Sequence, residues 1–145
     1  MNHIEKKSLN VEYMKLDKSF KNVKESSSII GEDPDNFVKS VVFDDNGKIV
    51  IAIILGNDRV NFDKLGDVTG SENISIAKPH EVMEVVGFPA GKVPPFGFNA
   101  DFLIDSKVLE KREVYAGCGV EGCLMRISPN EIIRANDGEI ADICD

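Results

Sequence analysis

The chain has 145 residues, 42% of them hydrophobic, and a formal net charge of −8. That length is expected to form one domain with a buried core, and its longest apolar run, IVIAIIL at residues 49–55, is too short to span a bilayer. Residues 1–39 carry seven Lys against seven acidic residues, whereas residues 40–145 carry ten cations against eighteen and hold the whole excess; this argues against DNA and against tight nonspecific backbone binding, but permits a short nucleic-acid end held by a few contacts.

The N-terminus, MNHIEKKSLNVEY, lacks the apolar stretch of a secretory signal, so a cytoplasmic protein is expected. Residues 4–9 read as a short helix, with about residues 1–4 loose. VEYMKL (11–16) alternates and reads as a strand. DKSFKNVKESSS follows as a loop, and Ser26 or Ser27 is the expected cap of a short helix ending at Gly31.

The strongest signal is FVKSVVFDDNGKIVIAIIL (37–55), two β-branched runs joined by Asp45-Asn46-Gly47. Asn-Gly tolerates the positive φ that a tight hairpin requires. The second run is continuously apolar and predicts a central strand buried on both faces. GNDRVNF then predicts a short strand, and KLGDVTG a loop or brief helix. ISIA (74–77) predicts a strand, and PHEVMEVVG a helix with Pro79 at its start and Gly87 past its end. DFLID, REVYAG and CLMRIS predict three more strands. The last helix opens on Ser128, Pro129 and Glu131, a capping-box pattern. The acidic tail, about 136–145, is expected to fray.

Three cysteines make no disulfide framework. Cys118 and Cys123 are spaced C-x4-C with no second pair and no nearby His, short of the four ligands that zinc takes. No metal and no cofactor are expected. Reduced thiols are the default, with a redox bridge between these two left open. His3 and His80 adjoin no nucleophile motif, and neither a phosphate loop nor G-x-G-x-x-G is present.

Two features remain. AGKVPPFGF (90–98) places a glycine on each side of two prolines. It is a stiff segment, suited to a plain corner or to the backbone wall of a pocket. Lys39 begins the strongest strand. It either faces solvent or projects into a pocket as a fixed cation for a phosphate or carboxylate.

The order of these segments resembles the YbaK/ProRS-associated aminoacyl-tRNA editing domain family over about residues 5–135. Val38 to Phe43 matches the family's Val-Lys-[Thr/Ser]-Leu-Val-Phe segment. Gly91 to Pro95, followed by Phe96 and Gly97, matches its G-x-x-x-P loop, and Ala116-Gly117 its Ala-Gly segment. The resemblance implies an α+β fold with a mixed, barrel-like sheet surrounded by short helices. It implies a freestanding trans-editing hydrolase that deacylates mischarged aminoacyl-tRNA, removing a small amino acid such as Cys, Ala or Ser at the 3′ acceptor end, on the tRNA for proline. Prolyl-tRNA synthetase is then an expected partner. Chemistry in the family is attributed to a positioned water and the substrate's terminal ribose hydroxyl.

On that resemblance Lys39 and Gly91 are the expected catalytic positions. Lys39 would hold the terminal phosphate, and the Gly91 loop would supply backbone N–H groups to the carbonyl oxygen. Ser40, Lys92, Val93, Pro94, Pro95, Phe96, Gly97, Ala116 and Gly117 are the expected substrate-binding positions. The chain departs from the family pattern in three places. Lys92 stands where a second glycine is usual, Pro94 where a serine is, and Leu124 near a usual acidic residue. The alternative reading is a non-catalytic tRNA- or synthetase-binding module of the same fold, and a third is a binder of a free amino acid or nucleotide. Convergence of Lys39, the Gly91 loop and Ala116-Gly117 on one small cavity would favour the enzyme.

Overall fold

The computed structural model describes residues 9–145. The helix expected over residues 4–9 lies outside them, save Leu9. Eight strands form two sheets. β1 (Val11–Lys15), β7 (Cys123–Ile127) and β6 (Val114–Gly117) make an antiparallel sheet in the order β1-β7-β6. β2 (Val38–Asp45), β3 (Lys48–Leu55), β4 (Ile74–Ile76), β5 (Asp101–Asp105) and β8 (Glu139–Ala141) make a mixed sheet in the order β4-β2-β3-β5-β8. A bridge between Phe37 and Tyr115 joins the two sheets. The result is an α+β fold that curves like a barrel without closing.

The hairpin β2–β3 turns where the Asn-Gly pair predicts. Asn46 and Gly47 both take positive φ, 53° and 92°, and Asp44 Oδ1 accepts the Gly47 N–H at 2.7 Å. β3 shows why a continuous apolar run is needed at the centre. Ile51, Ile53 and Leu55 enter one hydrophobic cluster, while Val50, Ala52 and Ile54 enter a second on the opposite face. This is the period-two alternation of a strand with a core on each side.

Among the described residues four α-helices lie around the sheets: α1 (Val23–Ile30), α2 (Phe62–Thr69), α3 (Pro79–Val86) and α4 (Pro129–Asn136). Asn22, Asn61 and Ser128 cap α1, α2 and α4 by accepting the N–H of Glu25, Lys64 and Glu131. The Glu131 carboxylate accepts from Asn10 N–H and Arg134. The cap of α1 is therefore Asn22, four residues before the first of the expected serine caps. Ser26 and Ser27 lie inside the helix, buried, with their hydroxyls donating back to Asn22, Val23 and Lys24 carbonyls.

Two further expectations are corrected, and one element is added. GNDRVNF forms no strand, only a bridge from Val60 to Cys144, because Asn61 is taken up as the cap of α2. A 3-10 helix over Ser106–Glu110 intervenes between β5 and β6; the Asp105 side chain caps it by accepting the Lys107 N–H. The tail does not fray. β8 adds to the sheet edge parallel to β5, and Ile143 and Cys144 are buried beside Phe43 and Leu65. Among the described residues no helix is long and apolar enough to cross a membrane.

Candidate functional site

A cavity of about 40 Å³ lies at the seam between the mixed sheet and the small sheet, lined by residues of both and by Phe37 of the bridge. This is room for two or three water-sized groups. Its wall from β2 holds Lys39 and Ser40. The loop after α3 contributes Gly91 and Val93, the end of β6 contributes Gly117, and β7 contributes Leu124. Successive residues of a strand point to opposite faces, so Lys39 and Ser40 cannot both send side chains in; one offers its backbone. Lys39 is half-buried and is the one charged residue among those lining the cavity.

The Gly91 loop divides in two. Its first half is a β-turn in which the Lys92 N–H donates to the Pro89 carbonyl at 3.0 Å. Gly91 sits at the third position with φ 85°, where glycine is favoured. A Cβ on Gly91 would lie 2.7 Å from the Lys21 carbonyl oxygen, so the turn is pressed against the chain before α1. The second half is the plain corner. Pro94, Pro95 and Phe96 are buried, Phe96 within the main core. The Pro95 carbonyl accepts the Asn136 Nδ2 hydrogen at 2.9 Å.

Of the expected site residues, Lys39, Ser40, Gly91, Val93 and Gly117 meet at the cavity. Pro94, Pro95, Phe96, Gly97 and Ala116 do not line it. Ala116 is core, paired with Met125 across the small sheet. Lys92 turns away: its Nζ lies 2.6 Å from Glu121 Oε1, and this ammonium holds the Glu121 carboxyl below its usual range. Lys92 takes no positive φ, so its backbone needs no glycine there. Leu124, almost fully buried, supplies an apolar wall.

Besides Leu124, six other lining positions were not among the expected site residues: Phe37 and Val38 at the start of β2, and Phe20, Asn22, Val23 and Ser26. The last four lie on the stretch read as a polar loop. Phe20 was the available signal, a lone aromatic in a polar run, and it is buried with Phe37 and Leu124. The segment 16–22 is a strap over the seam. It touches the Gly91 turn through Lys21 and the β6–β7 turn through Leu16, whose N–H donates to Gly122 O at 2.6 Å.

The β6–β7 turn is closed by a disulfide between Cys118 and Cys123, with Cα atoms 5.5 Å apart. This corrects the default of reduced thiols. Gly117 and Leu124 are cross-strand partners, so the next residue on one strand and the preceding one on the other are brought within bridging distance.

A larger, open groove of about 500 Å³ lies elsewhere, with Asp45, Asp101, Asp137, Glu139 and Lys48 on its walls. It carries none of the expected site residues, and four carboxylates to one lysine would repel a phosphate chain.

The model of the aminoacyl-tRNA editing domain matches residues 17–135, most of the chain. The chain belongs to the aminoacyl-tRNA editing domain family. The editing domain described here is also similar to proline–tRNA ligases. It is 30% identical over 103 residues to that of Lactococcus lactis, covering 70% of this chain and 17% of the ligase. It is 23% identical over 133 residues to that of Thermosipho melanesiensis, covering 84% and 24%. The chain thus spans a quarter or less of the length of these relatives. Among solved structures, a protein described only as hypothetical superposes with a TM-score of 0.91 at 28% identity, over 98% of this chain and 96% of the other. A protein provisionally described as a trans-editing enzyme for prolyl tRNA synthetase superposes at 0.83 with 27% identity, over 93% and 87%.

Proposed function

We propose that this editing domain is a trans-acting deacylase that hydrolyses the ester between a small amino acid and the 3′ end of tRNA for proline. The observation that carries this reading is the meeting of Lys39, Gly91 and Gly117 at one cavity large enough for only a small side chain. The names of its ligase relatives and of the superposed trans-editing protein support the choice of tRNA and of prolyl-tRNA synthetase as a partner.

In this reading the amino-acid side chain enters the seam against Val93, Leu124 and Phe20. The ester carbonyl lies at the Gly91 turn. The Lys92 N–H is already bonded to Pro89, so the Gly91 N–H is the donor assigned to the carbonyl oxygen as it gains negative charge. A water adds to the carbonyl carbon; the bond from that carbon to the ribose oxygen then breaks. The ribose oxygen takes up the proton that the water lost, giving free amino acid and a tRNA with its hydroxyl restored. An aminoacyl ester is already activated, so holding water and carbonyl in line can supply much of the acceleration. Lys39 binds the terminal phosphate and fixes that alignment. Selectivity comes from size, at about 1–3 kcal/mol per methylene; Cys, Ala and Ser are the substrates of matching bulk.

The test is deacylation of alanyl-, cysteinyl-, seryl- and prolyl-tRNA(Pro) by the wild type and by Lys39→Ala. Rapid loss of one small mischarged species, sparing of prolyl-tRNA and a defect of about a hundredfold in Lys39→Ala are expected. A folded protein that binds tRNA but hydrolyses none of them would overturn the enzyme reading in favour of a binding module.

A further inference from the structure

The strap, together with the ends of β1 and α1 that flank it, is also the basic part of an acidic protein. Residues 15–24, KLDKSFKNVK, hold four lysines against one aspartate, in a chain of net charge −8. Lys15, Lys18, Lys21 and Lys24 recur every third residue and all four are exposed. Cations of the body are placed differently: Lys48, Lys64, Lys92, Lys107 and Lys111 each hold a carboxylate at 2.6–3.1 Å. Among the described residues no such partner is found for the four strap lysines.

A shallow groove of about 520 Å³ runs along the outside of this strap and the first turns of α1, with Lys18, Lys24, Asn22 and the single acid Glu25 on its walls. Asn22 also lines the small cavity in the seam. The groove and the cavity therefore adjoin at Asn22. Side chains of Ser19 and Ser28 on the groove wall can donate to phosphate oxygens. The acidic groove on the body shares no lining residue with the cavity.

We infer that the strap groove is the docking surface for the single-stranded 3′ end of the RNA, with Lys18 and Lys24 on two successive backbone phosphates ahead of the terminal residue in the seam. This rests on the editing reading for the identity of the RNA. Its physical content is separate: a local, salt-dependent phosphate contact made by two lysines. A groove with two cations and one carboxylate binds weakly, which suits an enzyme that must release each tRNA it inspects.

The experiment measures binding of the full chain to a short RNA hairpin with a single-stranded 3′ end, and to its blunt-ended counterpart, across a salt series. For single strands each phosphate contact contributes about 0.7 to the slope of log affinity against log salt. The double variant Lys18→Gln/Lys24→Gln is expected to lower that slope by about 1.4 and to weaken binding about tenfold at low salt, on the overhang hairpin only. Lys78→Gln/Arg59→Gln, which removes the same charge from exposed sites away from the strap, controls for net charge. Both double variants are checked for an unchanged melting profile, and Lys18→Ala/Lys24→Ala must repeat the result. Equal weakening by the two charge-matched doubles, or a slope that the strap double leaves unmoved, overturns the inference. Absence of deacylation with a lysine-dependent slope intact would remove the editing reading and leave this one standing. Deacylation with an unmoved slope would do the reverse.

Discussion

Gly91 takes φ 85° and lies so close to the strap that a Cβ there would be 2.7 Å from the Lys21 carbonyl oxygen. Either fact alone disfavours a side chain; together they make Gly91→Ala a test of the wall. The substitution is expected to lower stability by about 1–3 kcal/mol, read by urea unfolding, and to cut kcat/KM for deacylation about tenfold or more through misplacement of the turn. A different residue carries a pH signature. Cys144 is buried, and burial first, then the carboxylates of Asp105 and Asp58, push its thiol from 9.0 up to about 12. Those three donor groups lie within 4.8 Å of one another, and the Lys107 ammonium pairs with Asp58 at 3.1 Å. The folded protein thus holds the thiol proton where the unfolded chain gives it up. The stability this contributes is fully present below about pH 9 and is lost as pH rises through about 12. Unfolding curves of the wild type should therefore steepen in their decline above pH 9 relative to Cys144→Ala, and the native thiol should resist alkylation at pH 8.

At the scale of elements, the hairpin, the central strand and α3 were legible because each had a local cause: Asn46-Gly47, the unbroken run to Leu55, and Pro79 with Gly87. The tail was not. Acidic composition argued for fraying, yet Ile143 and Cys144 supply apolar groups, and the Ile143 N–H donates to the buried Asp105 carboxylate at 3.1 Å. That attachment is tertiary, between residues 38 apart, and no local pattern announces it. Removal of residues 139–145 takes β8 from the sheet edge and empties the Ile143 site. With burial of one such side chain worth about 1.5–3 kcal/mol, the truncation is expected to lose at least about 3 kcal/mol in chemical denaturation and to shift the midpoint downward. An unchanged midpoint would mean that the tail only decorates the sheet. The strap was illegible for the same reason as the tail. Its Phe20 is buried by Phe37 and Leu124, residues brought near only once the two sheets have come together.

At the scale of the molecule, the site exists because two sheets meet at the Phe37–Tyr115 bridge and the cavity lies between their edges. The sequence pattern revealed β1 to β7 but neither β8 nor the division into two sheets, since strands of both sheets alternate alike. Of the loop read as a candidate wall, Gly91 and Val93 line the cavity, and the second half is a corner anchored by Asn136. Charge is divided on the same plan, basic over the seam and acidic across the body.

Apart from the buried Phe20 side chain, the strap meets the seam through its main chain. The contacts are the Lys21 carbonyl against Gly91 and the Leu16 N–H and carbonyl against Gly122. Peptide groups are common to every residue type, so the side chains at 18, 21 and 24 can change without moving the wall behind them. On the proposed function, grip on the RNA end and choice among amino acids would then rest on separate sets of positions. An evolving lineage, or a protein engineer, can adjust grip without disturbing choice.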